Sequence, residues 1–319
     1  MPAPTAVSLY QQKPSGFWRR LAAFLVDCSI LGMVGLATGL ILTNQFASMG
    51  AWGRLVGFFV ALLYFGFFNS EHTDGQTPGK RLFKIKVVST DGAPLSMARA
   101  VLRFMPIGIP WFLNNLPLSG QALFSFWITL LSVAVFGIGL SVIYLSIFNR
   151  QFRQSAHDLL VGSCVTFANG SGPVEPTQVW RMHLAACCGF LVLSAAGPMY
   201  TSHIATSEPF PTLLNITRSA EREPWVDHVQ VNLGRSIVSS SSDGKSSTTF
   251  YNIAAYSSDN DIDNAGRAKR LAMLALSANT AVADATLIRV TLVHGYDIGI
   301  AKSWRARTFA HSPSEWKAY

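Results

Sequence analysis

Five apolar stretches dominate the first 200 residues and set the environment in which this chain can fold: Leu21–Thr43, Ala51–Phe68, Val101–Leu118, Leu123–Phe148 and His183–Tyr200. A helix needs about 20 apolar residues to cross the hydrocarbon layer of a bilayer. The first, second and fourth stretches meet that length. The third contains Pro106, Pro110 and Asn114–Asn115 and is expected to kink or to be partly re-entrant. The fifth is short but continuous, with Arg181 at its start and Pro198 at its end. The first stretch is too long for a signal-peptide core and holds Asp27, so it is read as an uncleaved span. Composition agrees: half of the 319 residues are hydrophobic, 13% are charged, and mean hydropathy is +0.30. An ordinary soluble domain carries about 25% charged residues. A simple soluble enzyme, a disordered chain and a fibrous chain are excluded.

The net charge of +8 is unevenly spread. Residues 1–200 hold 13 Lys/Arg against 6 Asp/Glu, whereas residues 201–319 hold 12 against 11. The excess belongs to the hydrophobic part, where basic residues set membrane orientation, so nucleic acid is not an expected partner. Lys13, Arg19 and Arg20 precede span one. Lys80, Arg81, Lys84 and Lys86 lie between spans two and three, and Arg99 and Arg103 enter the third. Arg150, Arg153 and Arg181 lie between spans four and five. The alternate connections, Asn44–Gly50 and Ser119–Ala122, contain no Lys or Arg. The asymmetry predicts a cytoplasmic N-terminus and, with five crossings, residues 201–319 outside; a re-entrant third segment would bring them inside. Phe17, Trp18 and Trp52 stand where aromatic rings favour the membrane interface.

Cys28, Cys164, Cys187 and Cys188 have no zinc-site spacing, and none follows residue 200, so disulfides cannot staple the C-terminal region. They are read as apolar thiols. Leu184–Cys187 has the form of a lipoprotein cleavage box, but it follows four spans and is read as chance. No cofactor motif is found.

Ionisable groups inside a span are costly, by about 2.5–3.5 kcal/mol on insertion scales. Asp27 lies two turns past Arg20 on nearly the same helix face and is too short to reach the headgroups. Arg99 and Arg103 form an i, i+4 pair. His157 and Asp158 follow span four. The expected arrangement pairs Asp27 or Asp158 with Arg20 or Arg103 between helices, either as a static ion pair or as a proton- or cation-handling site. Between spans two and three runs Gly75-Gln76-Thr77-Pro78-Gly79-Lys80-Arg81. A phosphate-binding P-loop needs four residues between its glycines and Ser or Thr after Lys; here there are three, and Arg follows. Phe83–Ser89 reads as a short strand and Asp91-Gly92 as a turn. The loop's cations are expected to meet anionic lipid heads.

Together, these residues resemble the RDD family of multi-pass membrane proteins, named for one Arg and two Asp. The resemblance rests on Arg20, Asp27, Gly75–Arg81 with Val87, Asp91-Gly92 and Pro94-Leu95, then Arg99, Arg103 and His157–Gly162. It covers about residues 14–167 and maps the naming triad onto Arg20, Asp27 and Asp158. It implies a multi-pass protein of the bacterial cytoplasmic (inner) membrane, with cation or proton exchange as an activity proposed for some members. Nothing is inherited beyond residue 170.

Thr201–Asp227, with Pro209, Pro211 and Pro224, reads as a linker. Alternation predicts strands over His228–Val238 and Thr248–Tyr256, separated by a polar turn at Ser239–Ser247. Ile262–Ala278 reads as a helix capped by Asp261 or Asp263. Strands are expected over Thr286–His294 and Ile300–Phe309, with a turn near Gly295–Asp297. The expected fold is therefore a membrane all-α bundle of about five helices followed by a small α+β domain of ββαββ order, its sheet four-stranded and antiparallel. The domains divide as 1–168, an RDD-like membrane domain; 169–200, a cytoplasmic loop and last span; 201–227, a linker; and 228–319, an extracytoplasmic α+β domain. No nucleophile–base pair, metal spacing or phosphate loop is found, so an enzyme is not expected. Two readings stand. One is exchange of a small cation or proton through Asp27 and Asp158, with homo-oligomerisation. The other is a non-enzymatic accessory or sensor protein whose C-terminal domain binds a protein partner or envelope ligand.

Overall fold

The computed structural model describes residues 12–116, 125–150, 153–174, 179–240 and 244–319. The expected connection at Ser119–Ala122 lies outside the described residues, as does the centre of the Ser239–Ser247 turn. Among the described residues four helices are long and apolar enough to cross a membrane: Phe17–Ile41, Gly50–Phe68, Phe126–Phe148 and Arg181–Tyr200. The first is α1. After the short α2 (Thr43–Ser48), the second contains α3 (Gly53–Phe68).

The third expected span is not among the four. Its helix, α5 (Met97–Leu113), follows the short α4 (Pro78–Leu82) and strand β1 (Ile85–Ser89). It has 17 residues and begins at Met97, where the Ser96 hydroxyl caps Arg99 N–H. At ~1.5 Å per residue, 17 residues reach ~25 Å, short of the ~30 Å hydrocarbon layer, and Arg99 and Arg103 occupy the first turns. Pro106 and Pro110 lie inside it without ending it. It runs antiparallel beside α3: Val101 and Met97 abut Gly66, while Arg54 at the other end of α3 reaches the Phe112 carbonyl.

The fourth stretch forms α6 (Phe126–Ser132), a π-helical turn at Val133–Ile138, and α7 (Gly139–Phe148). The short α8 (Ala156–Val161) and strand β2 (Ser163–Phe167) follow, then α9 (Arg181–Ile204). Helix α9 packs antiparallel to the α6–α7 segment, with Tyr144 against His183 and Ser132 Oγ donating to Ser194 O. Strands β1 and β2 pair antiparallel, with Val87 opposite Val165. This small sheet sits with α4 and α8 at one end of the bundle, called here the basic end.

The segment read as a linker instead carries a helix, α10 (Phe210–Ala220), whose Thr212, Ile216 and Ala220 are buried. The prolines that suggested a linker start that helix: Pro209 is its N-cap and Pro211 occupies the first turn, where no backbone N–H is required. The sheet domain then runs β3 (Val226–Ser240), β4 (Gly244–Ser257), α11 (Ala265–Ala278), α12 (Thr280–Ala283), β5 (Leu287–Asp297), β6 (Lys302–His311) and α13 (Pro313–Ala318). Asn264, not Asp261 or Asp263, caps α11, its side chain accepting from Arg267 N–H. Strand order is β3-β4-β5-β6. The sheet is mixed, not antiparallel throughout, because β4 and β5 are parallel. A crossover helix between two adjacent strands returns the chain to the end where the first strand began, so the second must run the same way. The core gathers Ile216, Ile253, Leu271, Ile288, Leu292 and Trp316, and the Trp316 indole donates to Ile288 O.

The turn expected near Gly295–Asp297 lies at Ile298–Ala301, where Asp297 Oδ1 accepts from Gly299 N–H at 2.7 Å. This β5–β6 tip is seated between α1, α3 and α5 at the other end of the bundle, the domain end. Ile300 and Ala301 touch α1 at Gly32 and Gly35, and Tyr296 touches it at Gly39. At Gly57 the α3 backbone lies so close to the Ile298 carbonyl that no Cβ fits. Phe46, Tyr296 and Ile298 form a buried cluster there.

Candidate functional site: two buried carboxylates and an interdomain ion pair

Asp27 is 1% exposed on α1. Tyr64 OH donates to its Oδ1 at 2.9 Å, Gly79 N–H to the same oxygen at 2.9 Å, and Thr77 Oγ1 to Oδ2 at 2.6 Å. A carboxylate accepts and does not donate, so three donors suit it. The sequence dictates this grip. Thr77 caps α4 and accepts from Lys80 N–H, and Pro78 fits the first helical position, where its missing N–H costs nothing. Gly79 is required because a Cβ there would run into the Ala23 carbonyl and the Asp27 carboxyl carbon. The rest of the Gly75–Arg81 motif braces the loop. Gly75 N–H bonds Ser70 O, Gly75 O accepts from Val87 N–H, and Gln76 Nε2 donates to Ile85 O. Lys80 Nζ donates to Asn69 Oδ1 at 2.6 Å, and Arg81 is exposed.

Asp158 is fully buried and meets a different set of partners. Arg103 approaches Oδ1 with Nη2 at 2.7 Å and Nε at 3.0 Å, and Ser163 Oγ donates to it at 3.1 Å. Arg20 Nη1 lies 3.5 Å and His157 Nε2 3.7 Å from Oδ2. Ser155 N–H also donates to Oδ2, closing a capping box on α8. Arg20 further donates to the Arg153 and Val165 carbonyls and to Ser15 Oγ. Arg99 donates to Ser89 Oγ and to the Val161 and Gly162 carbonyls.

Of the pairings expected from sequence, the structure therefore brings Arg20 and Arg103 to Asp158. It brings neither to Asp27, and no ammonium or guanidinium lies within ion-pair distance of Asp27 among the described residues. Burial alone would raise the Asp158 carboxyl, but Arg103, His157 and Arg20 outweigh it and hold the group well below the usual carboxylate range. Burial lowers His157 to about 3, and burial with the nearby Arg103 lowers Lys80 to about 7.

A third charged pair was not anticipated. Arg54 is buried in α3 and reaches Asp297 at 2.5 Å. It also donates to Phe112 O at 2.9 Å and Trp111 O at 3.0 Å, while Trp111 Nε1 donates to Gly299 O. One guanidinium thus ties α3, the end of α5 and the β5–β6 tip together. The signal was present in the sequence as an Arg four residues inside an apolar stretch.

Comparison with known proteins bears on one part of the chain. Residues 14–162 match the sequence model of the RDD family. That segment is an RDD-family domain. Over 156 residues, 49% of this chain and 86% of the relative, the chain is 27% identical to the uncharacterised protein YckC of Bacillus subtilis (strain 168). No solved structure matches. The RDD segment holds Arg20, Asp27, Gly75–Arg81, Arg103, His157 and Asp158, so both carboxylate clusters are internal to it. Helix α9 and the sheet domain lie beyond the RDD match, and Arg54 is the RDD residue that reaches across to that domain through Asp297.

Proposed function

We propose that this RDD protein is a non-enzymatic membrane accessory or sensor protein. Its C-terminal sheet domain binds a partner or envelope ligand on the outer face of the bacterial cytoplasmic membrane, and its bundle carries the state of that domain across. The N-terminus and the basic end face the cytoplasm in this reading, with α5 crossing alongside α3 as a short fifth passage. The observation that supports it most is the β5–β6 tip, wedged among three helices and held by Arg54 and Asp297. Helix α1 touches that tip at Gly32, Gly35 and Gly39 and, further along, presents Asp27 to the Gly75–Arg81 loop. One rigid helix therefore contacts both the outer domain and the inner loop, which is the physical requirement for coupling between them. The test is hydrogen exchange on the full chain in lipid nanodiscs. Gly57→Val, which leaves no room for Ile298, is expected to raise exchange at residues 297–301 and also at residues 75–81. Faster exchange at the tip with an unchanged inner loop would refute coupling.

Cation or proton exchange through Asp27 is the second reading. It draws on one observation: Asp27 meets only neutral donors, so no neighbouring cation is committed to it. Proteoliposomes decide it. Exchange requires pH-coupled cation flux in the wild type that Asp27→Asn abolishes while insertion is preserved. Wild-type vesicles with no flux above background would eliminate the reading.

A further inference from the structure

Strand β6 is the edge of the sheet, and the seven residues Lys302–Thr308 are all exposed. The depth of these residues follows from the docked tip. Tyr296 touches α1 at Gly39, and Tyr296 pairs with Ser303, so Ser303 stands level with the last turn of α1. Trp304 and Arg305 lie about 3–7 Å further along the strand, where α1 ends at Ile41. That is the boundary between hydrocarbon and headgroups.

The rest of the bundle marks the same boundary with indoles: Trp52 is 74% and Trp127 72% exposed at the domain end. Tryptophan favours the interface because its ring is apolar and its N–H is polar. Helix α1 has no aromatic residue in its last turns, where Leu40 and Ile41 are exposed. Trp304, braced edge-on by Tyr256 at 5.2 Å, supplies the missing indole on that side.

Charge completes the picture. Neither Lys302 nor Arg305 has an acid within ion-pair distance among the described residues, since the nearby Asp297 is committed to Arg54. The connection Asn44–Gly50 at this end offers no cation. Lys302 shares a face of the edge strand with Trp304 and Arg305 projects from the other, so an uncommitted cation stands on each side of the interfacial tryptophan, complementary to anionic phosphate heads.

We infer that Lys302, Trp304 and Arg305 form a binding surface for anionic phospholipid headgroups in the leaflet beneath the sheet domain. The indole enters the interface while the ammonium and guanidinium engage headgroup phosphates. The inference is independent of whether the domain also senses a ligand. A cation near an anionic membrane surface is worth about fivefold in lipid preference, so the pair predicts enrichment of about 25-fold.

The test uses the full chain with Trp304→p-benzoylphenylalanine, reconstituted in vesicles of equal phosphatidylglycerol and phosphatidylcholine, irradiated and analysed by mass spectrometry. The local photoadduct excludes lipid bound at the basic end. Expected are adducts strongly enriched in phosphatidylglycerol, falling about fivefold with Lys302→Gln or Arg305→Gln and to the vesicle ratio with both. Lys302→Arg with Arg305→Lys retains the enrichment, as does Lys317→Gln in α13, far along the sheet. Adducts in proportion to vesicle composition would overturn the inference. So would adducts to protein alone, enrichment that survives the double Gln variant, or equal loss in Lys317→Gln.

Discussion

Removing the Asp158 carboxylate strands two guanidinium groups at the basic end. Asp158→Asn preserves shape and leaves Arg103, 6% exposed, and Arg20 facing a neutral amide. Breaking a buried pair by deleting one partner costs about 3–5 kcal/mol. At about 1.4 kcal/mol per tenfold, that raises the unfolding constant roughly 150-fold to 5,000-fold. Arg103→Met is expected to cost less, because Asp158 keeps Arg20, His157 and the Ser155 and Ser163 donors. The combined Asp158→Leu, Arg103→Met variant removes both halves of the main pair. Apolar replacement of a buried ion pair is often neutral. The double variant still leaves Arg20 without its carboxylate and loses the capping bond of Ser155, about 1 kcal/mol, so it should recover most but not all of the loss. The assay is reversible unfolding in mixed micelles by titration with sodium dodecyl sulfate, read by tryptophan fluorescence. A loss below about 1 kcal/mol for Asp158→Asn, or a double variant as damaged as the sum of the singles, would refute the view that this cluster is a structural lock.

Further outcomes concern pH and the interdomain tie. Neutral burial of His157, lowered to about 3 from an ordinary 6.5, means that the unfolded chain binds the extra proton between those values. Stability is then lost as pH falls below about 6.5, and His157→Gln flattens that arm of a melting-temperature profile. Lys80, lowered to about 7 from 10.5, acts in the same direction in a higher window: stability rises from pH 7 to 10.5, and Lys80→Met removes the slope. Arg54→Met exposes the tip and costs about 1.5–3 kcal/mol for the charged hydrogen bonds lost, measured by the same micelle titration and by faster exchange at residues 297–301. Asp27→Asn keeps an acceptor for Gly79 N–H and Tyr64 OH but puts a donor opposite the donating Thr77 hydroxyl, so limited proteolysis should cut the Gly75–Arg81 loop faster than in the wild type.

Much of the bundle was legible because a bilayer demands long apolar runs, and α1 and strand β1 were read from that pattern and from alternation. The Arg20–Asp158 contact was one of the pairings left open, since spacing also puts Asp27 on nearly the same face of α1 as Arg20. What separates them is Gly79, whose backbone N–H reaches Asp27 only because no side chain intervenes, and that fit is a property of two segments 52 residues apart. Arg54 hid inside a stretch judged by its average hydropathy, and its counter-charge lies 243 residues away. The parallel pairing of β4 and β5 depends on where α11 crosses, which alternation within a strand does not encode. Pro209 and Pro211 misled because the same residue that marks a linker also starts a helix.

The seat of the β5–β6 tip has a consequence for biogenesis. The four apolar helices found among the described residues all precede Ile298 in the chain, so α1 and α3 are made, with α5, before the wedge that parts them at the domain end. Final closure waits for the β5–β6 hairpin. A chain cut short before Asp297 keeps the four apolar helices yet lacks the wedge, with the Arg54 guanidinium uncompensated. Strands β5 and β6 thus act as a completion mark that the helices receive only once this hairpin has been made.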